Sequence, residues 1–149
     1  MSEYIFSRLL PSETWALRAG VLWPEKKPGL DCELAGDRKE GAHHFGVKYK
    51  SEVVCVGSFV PEAHPQVAHV SFRLRAMATD ADHRKMGVGR MLIQGACAEL
   101  KQCGVNGIWA DARHAALGFY ARLDWEVSGP TYEVPLRGLH RLVWVRIDV

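Results

Sequence analysis

The stretch Arg84-Lys85-Met86-Gly87-Val88-Gly89 decides how this chain is read. Ahead of it runs Val70-Ser71-Phe72-Arg73-Leu74-Arg75-Ala76-Met77-Ala78, where apolar residues alternate with polar or longer ones. That is the period of a strand. Behind it, Val88, Leu92, Ala96 and Leu100 recur every fourth residue, as one face of a helix does. A glycine loop therefore joins a strand to a helix N-terminus. Unpaired N–H groups and the positive end of the helix dipole face out of such a loop and suit an anion. Gly87 and Gly89 can take unusual backbone angles and let a phosphate approach the amides. Arg84 and Lys85, with Arg90 just beyond, bring positive charge to the mouth. The same six residues also fit a plain strand-to-helix turn.

Two familiar phosphate loops fail. A Walker loop ends in Gly-Lys-Ser/Thr, whereas Arg90-Met91 follows Gly89. A dinucleotide fingerprint needs a third glycine where Leu92 stands. Arg-x-x-Gly-x-Gly between a strand and a helix instead resembles the pyrophosphate loop of the GNAT-type N-acetyltransferase superfamily. Leu74 to Asp80 is similar to the strand that precedes that loop. Downstream, Trp109-Ala110-Asp111-Ala112-Arg113 and Ala116 to Asp124, with Phe119-Tyr120 and Leu123, resemble the second signature of the family. Two positions depart from it. Asp111 stands where the family has Asn, and Asp124-Trp125 replaces Gly-Phe. The linked matches span about residues 70–126.

The resemblance implies a set of site residues. Acetyl-CoA would lay its diphosphate on Arg84, Lys85, Met86, Gly87, Val88, Gly89 and Arg90. Its pantetheine arm would follow the backbone of Met77, Ala78 and Thr79, and Asp111, Ala116 and Phe119 would complete the cofactor contacts. Tyr120 would be the catalytic residue, donating to the departing sulfur; the alternative is that it only packs, with its hydroxyl at the rim. Aspartate at 111 can accept but not donate. It either takes a pantetheine N–H or belongs to a shifted pattern of bonds. Arg113 can pair with Asp111, approach phosphate, or sit on the surface.

The composition describes an ordinary globular chain. Its 149 residues suit one domain over 1–149, with 48% apolar and 24% charged residues. A net charge of +2 gives no general argument for nucleic acid. Met1-Ser2-Glu3-Tyr4 shows no leader pattern, and no segment reaches the roughly 18 apolar residues of a membrane span. A cytoplasmic protein with no membrane partner is the expectation. Cys32, Cys55, Cys97 and Cys103 form no Cys-x-x-Cys pair, and His43-His44 lacks a third ligand at helpful spacing, so no metal is expected. Cys55 and Cys97 read as buried thiols.

In chain order, Tyr4 to Leu10 reads as an edge strand and Ser12 as the cap of a helix from Glu13 to Leu22. Glu25 to Ala42 has no period and reads as a long loop, with room for a helical turn. In GNAT-like proteins this region borders the acceptor groove. Phe45 to Tyr49 and Val53 to Val60 read as strands, and Val67 opens the strand before the glycine loop. The following helix ends at Cys103-Gly104. Val105 to Ala110 is a strand, His114 to Leu123 a helix, and strands from Trp125 to Tyr132 and Leu139 to Ile147 close the chain. The order predicts an α/β (α+β) fold of the GNAT kind. It has a mixed, mainly antiparallel sheet of six to seven strands flanked by about four helices.

The resemblance implies acetyl transfer from acetyl-CoA to a primary amine on a small molecule or a peptide. The amine attacks directly, through a tetrahedral intermediate. Holding both reactants in place can remove on the order of 7–11 kcal/mol of barrier. A backbone N–H of Met77 to Thr79 is the natural oxyanion donor. An amine of pKa about 10.4 is neutral in roughly one molecule in 2,500 at pH 7, so its proton must be taken. Glu62, His64, His69 and His140 are all candidates for that base. The alternative function is an acyl-CoA-binding sensor or partner domain with little or no turnover. Exposed sheet edges suit a homodimer.

Overall fold

The computed structural model describes residues 3–149. Met1 and Ser2, part of the start read above for a leader, lie outside the described residues. Seven strands form a sheet in the order β1-β2-β3-β4-β5-β7-β6. They are β1 Tyr4–Arg8, β2 His43–Tyr49, β3 Glu52–Pro61, β4 Phe72–Thr79, β5 Gly107–Arg113, β6 Glu126–Val134 and β7 Gly138–Arg146. The β1/β2, β2/β3, β5/β7 and β6/β7 pairs are antiparallel and β4/β5 is parallel, which matches the expected mixed sheet. The α-helical stretches are α1 Trp15–Leu17, α2 Val88–Gln102 and α3 Leu117–Arg122. Several expected helical turns are 3-10 instead, including His114–Ala116 ahead of α3.

Two compact units divide the chain, Met1–Pro61 with Leu74–Glu99, and Glu62–Arg73 with Leu100–Val149. In the first unit the stripe read for α2 is the buried one: Val88, Leu92 and Ala96 are inaccessible, and Ile93 joins them. The helix packs closely on the sheet because Gly57 presents no side chain: a Cβ there would lie 3.1 Å from Leu92 and 3.3 Å from Leu74. A separate cluster of Leu9, Leu17, Val56 and Ala78 seats the early helical segment.

That early segment departs from the expected capped helix. A 3-10 turn Pro11–Thr14, the short α1 and a π turn Arg18–Leu22 follow one another. Ser12 is not the cap. Pro11 takes the first helical position, for which its missing N–H suits it, and the Glu13 carboxylate reaches back to the Leu10 N–H at 2.8 Å. The wide turn closes with the Trp23 N–H on the Arg18 carbonyl at 2.9 Å.

The π turn sets a fully buried Arg18 beneath the long loop. Its guanidinium donates to Asp37 Oδ2 and Oδ1 at 2.5 and 3.0 Å, to the Cys32 carbonyl at 2.8 Å and to Ser58 Oγ at 2.8 Å. His44 on β2 closes the network, with Nδ1 at 2.7 Å from Ser58 Oγ and Nε2 at 2.9 Å from the Asp37 carbonyl. The loop expected from Glu25 to Ala42 is therefore clamped to the sheet, and it contains a 3-10 turn at Leu30–Cys32.

In the second unit, β5 pairs residue by residue with β7, from Gly107↔Arg146 to Arg113↔His140. One face carries the buried Ile108, Ala110, Ala112 and Val143. The other carries Trp109, Asp111, His140, Leu142 and Trp144, with Tyr132 of β6 opposite His140. β4 begins at Phe72 rather than Val67. Val67 takes part only in a one-residue bridge to His64, and the chain turns at 68–69, where His69 has φ +64.

Candidate functional site

The first unit contains Met77, Ala78, Thr79 and the whole of Arg84 to Arg90. β4 is kinked at Ala76, which has φ +53, a left-handed angle outside the usual strand region. Past this kink, Ala78 is buried and the Thr79 hydroxyl sits 3.3 Å from Cys55 Sγ. The Asp80 N–H then bonds the Val54 carbonyl at 2.8 Å, and the Asp80 carboxylate accepts from the Asp82 N–H at 2.9 Å, opening a 3-10 turn over Ala81–His83. His83 is fixed by the Tyr4 hydroxyl at 2.9 Å and by the rings of Tyr4 and Tyr49. The glycine loop thus hangs between two anchored ends.

Within the loop, Lys85 has φ +62 and Gly87 has φ +79. Two left-handed residues separated by one make the backbone turn sharply before α2 begins at Val88. The Met91 N–H reaches the Gly87 carbonyl at 3.0 Å, so the amides of the first turn remain without an intrahelical partner. Val88 plugs into the core, whereas Arg84, Lys85, Met86, Gly87 and Arg90 are exposed. A Cβ added at Gly87 would meet nothing within 4 Å. The space outside this backbone is open, basic at its rim and edged by amides, which fits a phosphate group.

The second unit contains Asp111, Ala116, Phe119 and Tyr120. Tyr120 is buried, with its ring 5.1 Å from Phe119, edge-on, and 5.0 Å from Trp125. The Leu123 and Trp125 N–H groups both donate to the Tyr120 carbonyl, and Asp124 takes φ +66 where the family pattern places glycine. This tight exit from α3 holds Trp125 against Tyr120.

Asp111 sits in a shifted pattern of bonds. Its Oδ2 accepts from Arg73 Nη2 at 2.7 Å and its Oδ1 accepts from the Tyr132 hydroxyl. Arg73 lies over the Trp109 ring, 4.6 Å from the centroid, and its Nη1 is 3.3 Å from Glu62 Oε2. Trp109 Nε1 donates to the Glu62 carbonyl at 2.8 Å. Burial, the hydrogen bond to Asp111 and the negative charge of Asp111 all push the Tyr132 phenol well above the usual tyrosine range.

The four candidates for the base also fall in this unit. Glu62 is exposed and paired with Arg73. His64 accepts the Gln66 N–H at 3.1 Å and meets the Trp109 ring edge-on. His69 is exposed in the turn before β4. His140 is buried, with Nδ1 2.8 Å from the Gly138 carbonyl and its ring stacked on Tyr132.

Sequence reading missed Arg73 and Tyr132, and also Arg18, Asp37, His44 and Ser58. A strand arginine and a strand tyrosine look like solvated positions until the register is known. Asp37 lies in a segment without periodicity, so no signal in the sequence paired it with Arg18. Among the described residues no group of three metal-ligating side chains converges, and no helix is long and apolar enough to cross a membrane.

Comparison with known proteins identifies the family and the fold. Residues 6–125 match the model of the acetyltransferase (GNAT) family. The chain is 33% identical over 133 residues to the uncharacterized N-acetyltransferase YitI of Bacillus subtilis (strain 168), covering 89% of each. The ribosomal-protein-S18-alanine N-acetyltransferase of Escherichia coli superposes with a TM-score of 0.74 at 19% identity, over 98% of this chain and 95% of that one. An aminoglycoside 6'-N-acetyltransferase complexed with coenzyme A has a TM-score of 0.74 at 15% identity, over 96% of this chain and 97% of that one.

Proposed function

The chain belongs to the acetyltransferase (GNAT) family and is an acyltransferase, and from that premise we propose that it moves an acetyl group from acetyl-CoA to a primary amine by direct attack. The observation that carries the reading is the start of α2. Gly87, at φ +79 with open space where a Cβ would be, follows Arg84-Lys85 and precedes unpaired amides. A diphosphate would be held there by main-chain N–H groups, with Arg84, Lys85 and Arg90 adding charge-assisted bonds. The backbone of Met77 to Thr79 would take the pantetheine arm, and Ala116 and Phe119 would line its apolar part.

Acetyl-CoA supplies the thioester carbonyl that the amine attacks and a sulfur that leaves as thiolate. The chain's part is to hold the two reactants, to offer a backbone N–H to the developing oxyanion, and to move two protons. Tyr120 is the donor to the sulfur. Its ordinary pKa of about 10 exceeds that of a thiol, about 8.5, so it acts through a hydrogen bond that strengthens as charge develops. We infer an amine on a small molecule or peptide as the acceptor, and a protein that works in the cytoplasm.

Coenzyme A release from acetyl-CoA, followed with a thiol reagent over a panel of small amines and peptides, tests the reaction. Release that depends on one class of amine is the expected result. Binding of acetyl-CoA without release across the panel would refute turnover.

A further inference from the structure

We propose that Asp111 is a positioning residue that acts through Tyr132 on the acceptor amine, by turning the phenolic proton inward so that the Tyr132 oxygen presents its lone pairs outward. The inference rests on the acetyl-transfer reading and adds to it a second residue for the acceptor.

Two donors converge on Asp111. The Tyr132 hydroxyl gives its proton to Oδ1, and Arg73 Nη2 donates to Oδ2 at 2.7 Å. An Asn at 111 could accept from only one of them; its NH2 would donate to the Tyr132 oxygen and leave the phenolic proton pointing outward. The aspartate, which departs from the family pattern, accepts from both and turns that proton inward. Arg73 cannot easily turn away. It lies over Trp109, the indole of Trp109 is tied to the Glu62 carbonyl, and Arg73 Nη1 meets Glu62 Oε2. Tyr132 is held from its other side by the ring of His140, with centroids 6.3 Å apart and planes at 26°. His140 is held in turn through Nδ1 and the Gly138 carbonyl. Arg73, Trp109, His140 and Glu62 thus fix both partners of the carboxylate.

A hydroxyl has one proton and two lone pairs. With the proton committed to Asp111, the oxygen can only accept from anything that approaches on the half-exposed face of β5, β7 and β6. An amine or ammonium is a donor, so the group is matched to N–H. The anionic Asp111 behind the phenol polarises the O–H bond and makes its oxygen a better acceptor. Asp111 itself has no need to touch the acceptor.

Kinetics and a spectroscopic titration test this together. Tyr132→Phe should raise KM for the amine roughly ten- to 150-fold and leave KM for acetyl-CoA within about twofold, consistent with loss of one hydrogen bond to a charged group. Asp111→Asn should do the same, and the double variant should be no worse than either single one, because both remove one device. The phenolate absorbance of Asp111→Asn should gain a tyrosine titrating nearer the ordinary value of about 10, and Tyr132→Phe should abolish that component. An Asp111→Asn variant that raises KM for acetyl-CoA and not for the amine would overturn the inference, as would additive losses in the double variant. A tyrosine titration unmoved by Asp111→Asn would overturn it whether or not the wild type turns over. Absence of turnover in the wild type, with that titration shift present, would refute the acetyl-transfer reading and the acceptor role while leaving the bond between the two side chains established.

Discussion

Arg18 and Asp37 form a two-point ion pair with side-chain exposures of 0% and 1%. Nineteen positions apart in the chain, they bolt the long early loop to the helical segment beneath it. Ser58, His44 and the Cys32 carbonyl take up the remaining bonds. A buried guanidinium is tolerated only because every side of it but one is answered; Nε alone has no partner among the described residues.

Removing one charge should therefore be costly. Asp37→Asn leaves a buried cation without its counter-charge and should lower stability by about 3–5 kcal/mol in urea unfolding. Burial pushes the Asp37 carboxyl up, but the Arg18 bonds, the Leu34 N–H and the Arg18 charge outweigh it and hold it below its ordinary value. A depressed folded pKa stabilises above the unfolded pKa, about 3.9, and that stabilisation is lost as pH falls through the folded value. The gap between wild type and Asp37→Asn should be full at pH 7 and should close below about pH 4. A gap that does not change with pH would contradict this.

The glycine loop should govern cofactor binding. Arg84→Glu reverses a charge at its rim, and Gly87→Trp places an indole in the open space outside the backbone and strains φ +79. Each should weaken acetyl-CoA binding well over tenfold by calorimetry, and should cancel the rise in Tm that acetyl-CoA gives the wild type. Unchanged binding in both would refute the socket.

Tyr120→Phe keeps the ring between Phe119 and Trp125 and removes only the hydroxyl. We expect kcat to fall by up to about 10²-fold with little change in acetyl-CoA affinity. Full activity would make Tyr120 a packing residue.

Gly95→Ala should destabilise despite the better helix propensity of alanine. A Cβ at 95 would stand 2.6 to 2.7 Å from the Phe6 ring. Overpacking of this kind costs about 1–3 kcal/mol, more than the roughly 1 kcal/mol that alanine gains in a helix. Shortening Phe6 to Leu in the same chain should return part of the loss. Additive losses would rule out the contact.

The thiols should separate by alkylation rate. Cys103 is exposed, whereas burial pushes the Cys55 and Cys97 thiols up to about 11. At pH 8, the exposed Cys103 should react faster than Cys55, which is buried and held protonated. Comparable rates, read by peptide mass spectrometry, would show that Cys55 opens to solvent.

The sequence by itself determined the order of strands and helices, the glycine loop and the buried stripe of α2. Those features are written in short-range periods and in glycine spacing, and the backbone follows them within a few residues. The ends of elements slipped where a local competitor won, as Pro11 and Glu13 did over Ser12 at the first helix. Only the tertiary structure decided which charged residues meet. Arg18 finds Asp37 across a stretch without periodicity, and Arg73 finds Asp111 across 38 positions through the parallel register of β4 and β5. A charge carries no mark of its partner, because the Coulomb and hydrogen-bond terms depend on distance in space, which chain separation does not set.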